Sequence, residues 1–113
     1  MNSEYLAELT ELLNVAQPDL GPTRSITYRN VFGAVGGYVD GTIFVSCGAF
    51  GVALRLGPET LETLFAEDGV EPLRYFPRGH VKKQYAVLPR RILEDREQIR
   101  TLIEHSVEFV TDG

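Results

Sequence analysis

From Tyr28 to Leu56 the chain reads YRNVFGAVGGYVDGTIFVSCGAFGVALRL. Asp40-Gly41 stands between two apolar, β-rich runs. Asp and Gly tolerate the positive φ that a two-residue type I′ turn needs, so the pair marks a hairpin. With that turn, Val39 faces Thr42 and Tyr38 faces Ile43. Tyr38, Ile43 and Val45 then share one face, and Phe44 lies on the other. A slip of one residue would exchange the faces, so the turn also sets the register. After a break at Gly48–Gly51, Val52, Leu54 and Leu56 alternate with Ala53 and Arg55, the pattern of a half-buried strand. Tyr28 to Phe32 reads as a further strand before the glycines. The expected sheet core is therefore Tyr38, Ile43, Val45, Val52, Leu54 and Leu56, with Phe44 and Phe50 left toward an open face or edge.

Gly33, Gly36 and Gly37 do not make a phosphate loop. GxGxxG spacing and GK[ST] are both absent, and no helical pattern follows them. Glycines between strands read as a tight connection or a bulge.

The flanking segments supply helices. Over Ser3–Ala16, Tyr5, Leu6, Leu9, Leu12, Leu13 and Ala16 follow helical spacing, with Ser3 placed to cap. Gly57-Pro58 opens a second helix, and Gly69 is placed to end it. Leu73–Phe76 and Gln84–Leu88 read as two strands joined through Pro77-Arg78-Gly79-His80. A short turn over Arg90–Leu93 precedes a last helix, which opens on the capping-box spacing of Asp95 and Gln98. The order is α-β4-α-β2-α. It predicts an α+β fold of two layers, a single antiparallel sheet with helices mainly on one face.

Composition bounds the function. At 113 residues the chain reads as one domain, 1–113, large enough for a core without staples. Its single cysteine, Cys47, excludes an internal disulfide and a four-cysteine zinc site, and reads as a buried, inert thiol. No apolar run reaches membrane-spanning length. The start, MNSEYLAELTELL, is acidic and amphipathic, unlike a signal peptide, so a cytoplasmic protein is expected. A net charge of −5 argues against a general nucleic-acid coat.

With these residues in view, the chain resembles the TfoX N-terminal domain family. The matching motif is R-x-x-F-G-x-x-G-x-Y-x-D-G, here Arg29, Phe32, Gly33, Gly36, Tyr38, Asp40 and Gly41, followed by Tyr85 and Pro89. Ile43-Phe44, Leu54-Arg55, Glu71-Pro72 and Leu93-Glu94-Asp95 extend the match from about Tyr5 to Val110. The chain departs from the family pattern at Val31, Ala34 and Gly37. The resemblance implies a two-layer fold similar to secretion chaperones and a regulatory module. The related competence regulators carry a second domain for which this chain has no room, so a role in competence is not carried over.

Candidate chemistry is sparse. His80 and His105 lack a second ligand at metal spacing, and no nucleophile–base order is present, so neither enzyme activity nor a cofactor or metal is expected. Arg29 reads either as a structural clamp on the glycine connection or as an anion-binding group beside Tyr38. Between Val70 and Arg91 lie Arg74, Arg78, Lys82, Lys83, Arg90 and Arg91 against one acid, Glu71. Tyr75, Phe76 and Tyr85 interleave with them, as on a phosphate-binding surface; the alternative is a solvated hairpin. The expected function is a non-enzymatic regulatory module that binds protein, as a homodimer, without membrane contact. The alternative is anion or nucleic-acid binding through residues 74–91, with Arg29, Arg74, Arg78, Lys82 and Lys83 as the binding groups.

Overall fold

A computed structural model describes residues 1–112. Its elements are α1 (Ser3–Ala16), β1 (Ile26–Val31), β2 (Ala34–Val39), β3 (Thr42–Gly48), β4 (Gly51–Arg55), α2 (Pro58–Phe65), β5 (Glu71–Leu73), β6 (Lys82–Leu88), α3 (Arg90–Leu93) and α4 (Arg96–Thr111). The strands form one antiparallel sheet in the order β1-β2-β3-β4-β6-β5. The fold is α+β, as the sequence predicts. No described helix is long and apolar enough to cross a membrane.

Both hairpin turns at the start of the sheet use positive φ. Asp40 (φ 52°) and Gly41 (φ 79°) join Val39 to Thr42 in the expected register. Phe32 (φ 46°) and Gly33 (φ 82°) form a second turn of the same kind, between Val31 and Ala34. Phe32 is therefore a turn residue, not the last residue of a strand.

The largest correction concerns the faces of β3. Tyr38 pairs with Ile43, but Gly37 pairs with Val45, so Phe44 is an extra residue bulged out of the ladder. A bulge reverses the alternation beyond it. Phe44 and Val45 consequently both enter the helix-covered core, and Ile43 and Tyr38 are carried to the opposite face. Phe44 is 0% exposed and cannot belong to an open patch. Val45, Val52, Leu54 and Leu56 are core residues as expected. Gly37 makes room for the bulge, because a Cβ there would stand 2.7 Å from Val45 Cγ1.

α1 and α4 cover the core face of β2 and β3, and α4 also reaches β4, while α2 packs on β6. Ser106 of α4 secures the bulge from the helix side. Its Oγ lies 2.9 Å from the carbonyl of Phe44 and 2.6 Å from that of Arg55. Helix ends differ from expectation in small ways. Asn2, rather than Ser3, caps α1, its Oδ1 accepting from the amides of Glu4 and Tyr5. α2 ends at Phe65, before Gly69, which takes positive φ (83°) in the following turn. Asp95 caps α4 by accepting from the Gln98 amide at 3.1 Å. β5 stops at Leu73, and at its end the register against β6 shifts widely, from Pro72 opposite Ala86 to Leu73 opposite Lys82. That shift releases residues 74–81 to fold over the sheet.

Candidate anion-binding face

The face of the sheet away from α1 and α4 has small residues at its centre, Gly36, Ser46 and Ala53, which are register neighbours on β2, β3 and β4. Ala53, Leu73 and Tyr85 are buried there, with Ile43, Phe50, Tyr75 and Val87 packed around them. The cover comes from the chain itself. Tyr75 reaches over β3, where its hydroxyl and that of Ser46 share a hydrogen bond of 2.7 Å. Its ring meets Phe50 edge-on at 5.6 Å and Phe32 at 5.2 Å. These are favourable separations for aromatic pairs. Burial pushes the Tyr85 hydroxyl up to about 12, with neighbouring Tyr75 adding and Arg55 opposing. Burial also raises Tyr75, against the lowering effect of its bond to Ser46. Both rings therefore stay neutral at physiological pH.

Phe32 stands at the rim of this layer. A bulky side chain at positive φ costs about 1–2 kcal/mol, and glycine or asparagine is the usual occupant of such a turn position. Phe32 is nevertheless 61% exposed, and Phe76, whose ring centroid lies 6.2 Å from its own, is 55% exposed. Lys82 Nζ lies 5.9 Å from the Phe32 ring centroid, within cation–π range. Phe32, Tyr75, Phe76, Gly79, His80 and Lys82 line a shallow cleft of about 170 Å³.

Positive charge surrounds this layer. Arg29 lies over the Tyr38 ring at 5.3 Å and, among the described residues, has no ion-pair partner. Arg74 donates to the Gly79 carbonyl at 2.9 Å, which fixes the overlying segment. Arg55 donates to Gln84 Oε1 at 3.0 Å. Arg78, Lys82 and Lys83 are exposed. Among the described residues the ion pairs are Arg24–Asp40, Arg90–Glu94 and Arg91–Glu67, so none of these six cations has a carboxylate partner. Arg90 and Arg91 thereby leave the expected basic patch, because α3 turns them toward acids beyond the sheet. Arg96 and Arg100 donate to the carbonyls of Val15 and Ala16, where they cap the C-terminus of α1.

Acidic groups gather on the helices. A groove of about 740 Å³ between α2 and α4 is lined by Glu59, Glu67, Asp95 and Glu97 with His105, and lies apart from the basic layer. Cys47 is buried, as expected, and donates to Glu8 Oε2 at 3.4 Å; burial first, then Glu8, raises the thiol to about 12.

The face thus brings together Arg29, Tyr38, Gly36, Tyr85 and the 74–83 segment, with Phe32-Gly33 at its rim. It does not include Asp40-Gly41, which form a turn beside Arg24, or Pro89, which caps α3. Ser46 and Arg55 were not expected there. Arg55 was readable from its alternation with Leu54 and Leu56, which puts it on the face of Ala53, whereas Ser46 carried no signal.

The family model for the TfoX N-terminal domain matches residues 19–110. No curated protein matches the chain. The chain belongs to the TfoX N-terminal domain family.

Proposed function

We propose that this member of the TfoX N-terminal domain family is a non-catalytic regulatory module that binds an anionic partner through the second face of its sheet. The observation that carries the reading is the charge partition. Among the described residues, Arg29, Arg55, Arg74, Arg78, Lys82 and Lys83 have no carboxylate partner, on a chain of net charge −5 that exposes Phe32 and Phe76 beside Lys82. The overall field repels polyanions, so attraction is local. At physiological ionic strength the Debye length is about 8 Å, which screens the distant helix acids while leaving contact attraction in place. Of the two expectations drawn from the sequence, protein binding and its alternative, anion or nucleic-acid binding, this surface supports the second.

The test is anisotropy of a fluorescent heparin oligosaccharide, titrated with wild type and with Lys82→Glu/Lys83→Glu at low and physiological salt. Binding at low salt that weakens with salt and with the double substitution supports the reading. Absence of low-salt binding, or equal binding by both proteins, refutes it.

Homodimer formation keeps one place in this scheme. Phe44 is buried and Phe50 is packed on Tyr75, so the apolar patch expected to drive dimerisation is not available. β1 remains an unpaired sheet edge, along which a second copy would add antiparallel strands. A monomer mass in sedimentation equilibrium at micromolar concentration removes that reading.

A further inference from the structure

We infer that the anionic partner is single-stranded nucleic acid, and that the Phe32–Phe76 cleft holds an unstacked base; this rests on the binding face proposed above. Charge alone does not distinguish phosphate polymers from acidic peptides. The rings do. Phe32 and Phe76 are the two most exposed aromatic side chains described, they stand 6.2 Å apart, and Lys82 sits against the Phe32 ring. An exposed π-face beside a cation fits a base and its phosphate. An acidic peptide would use the cations and leave the rings idle. A duplex keeps its bases stacked inside, where rings on a shallow surface do not reach them.

The backbone gives a second, independent reason. Phe32 occupies a left-handed turn position (φ 46°) and stands well out into solvent. Its ring meets Tyr75 and Phe76 with Lys82 over it, yet the residue stays 61% exposed. Strain retained at an exposed aromatic points to a role in contact with something else. Arg29 on Tyr38 offers a second planar surface further along the same face.

The strained position also supplies a clean variant. Asparagine suits a left-handed turn better than phenylalanine, so Phe32→Asn removes the ring while favouring the local backbone. Phe76→Ser removes the second exposed ring from outside the turn. Anisotropy is measured with labelled oligothymidylate, a duplex of equal length, and an oligoglutamate peptide, with folding of each variant checked by thermal melts. If about four cations meet phosphates of a single strand, affinity falls about 50-fold between about 50 and 200 mM salt. Phe32→Asn and Phe76→Ser should each weaken oligothymidylate binding about tenfold or more, while duplex binding is unchanged. Equal affinity for single strand and duplex, or no effect of either ring substitution, overturns this inference and leaves the anion-binding reading standing. Preference for oligoglutamate overturns it in favour of an acidic protein partner. Failure of every probe at low salt overturns both.

Discussion

Replacing Ser106 by alanine tests whether the β3 bulge is held in place by α4. Ser106 is 0% exposed, and its Oγ lies within hydrogen-bond distance of two carbonyls, those of Phe44 and Arg55. Phe44 is the bulged residue, so its place in the β2–β3 ladder is irregular and the serine supplies a donor from the helix side. Losing a buried hydrogen bond and leaving an acceptor unpaired costs about 1–3 kcal/mol. Alanine recovers about 0.5 kcal/mol through its higher helix propensity. The net expectation is a loss of about 0.5–2.5 kcal/mol. Thr101→Ala on the exposed side of the same helix is the control; it gains the same propensity and should be neutral or slightly stabilising. Urea melts followed by far-ultraviolet circular dichroism give both values. A loss below about 0.5 kcal/mol for Ser106→Ala, or one equal to the control, would refute the claim that this hydroxyl secures the bulge.

Two further outcomes follow from the core. Gly37→Ala places a methyl 2.7 Å from Val45 Cγ1 and 3.5 Å from the Phe44 ring, so thermal melts should show a loss of about 1–3 kcal/mol from overpacking; an unchanged melting temperature would show that the bulge is loosely packed. Alkali should unfold the protein in a defined window. Cys47 is raised from 9.0 to about 12 and Tyr85 from 10.0 to about 12, so the unfolded chain loses these protons first. Their stabilising effect is complete below the unfolded values and is lost as pH rises through the folded ones. Tyr85→Phe should flatten the tyrosine part of that loss in pH-dependent melts, and an identical pH profile in the variant would contradict the burial argument.

Much of this architecture was legible in the sequence because local chemistry decided it. Asp40-Gly41 carried its own turn, Gly57-Pro58 its helix start, and the leucine spacing of Ser3–Ala16 its helix. The face assignment of β3 was not legible. Ile43-Phe44-Val45 is apolar throughout, so an inserted residue leaves the pattern unchanged while reversing which side chains are covered. The path of residues 74–81 was hidden for a related reason. Tyr75 looks like a strand residue, and only the register shift against β6 and the Tyr75–Ser46 bond reveal that it covers the sheet. The basic segment was visible as a count of charges. Its division, with Arg90 and Arg91 spent on Glu94 and Glu67, depends on where α3 turns.

The central claim is that the second face of the sheet is the working surface. Amide chemical-shift mapping of isotope-labelled protein, titrated with a heparin oligosaccharide at low salt, tests it most directly. The account predicts shifts concentrated on Arg29, Phe32, Gly36, Ser46 and residues 74–83, with α2 and the exposed side of α4 undisturbed. Shifts confined to the α2–α4 groove, or none at all, would contradict it.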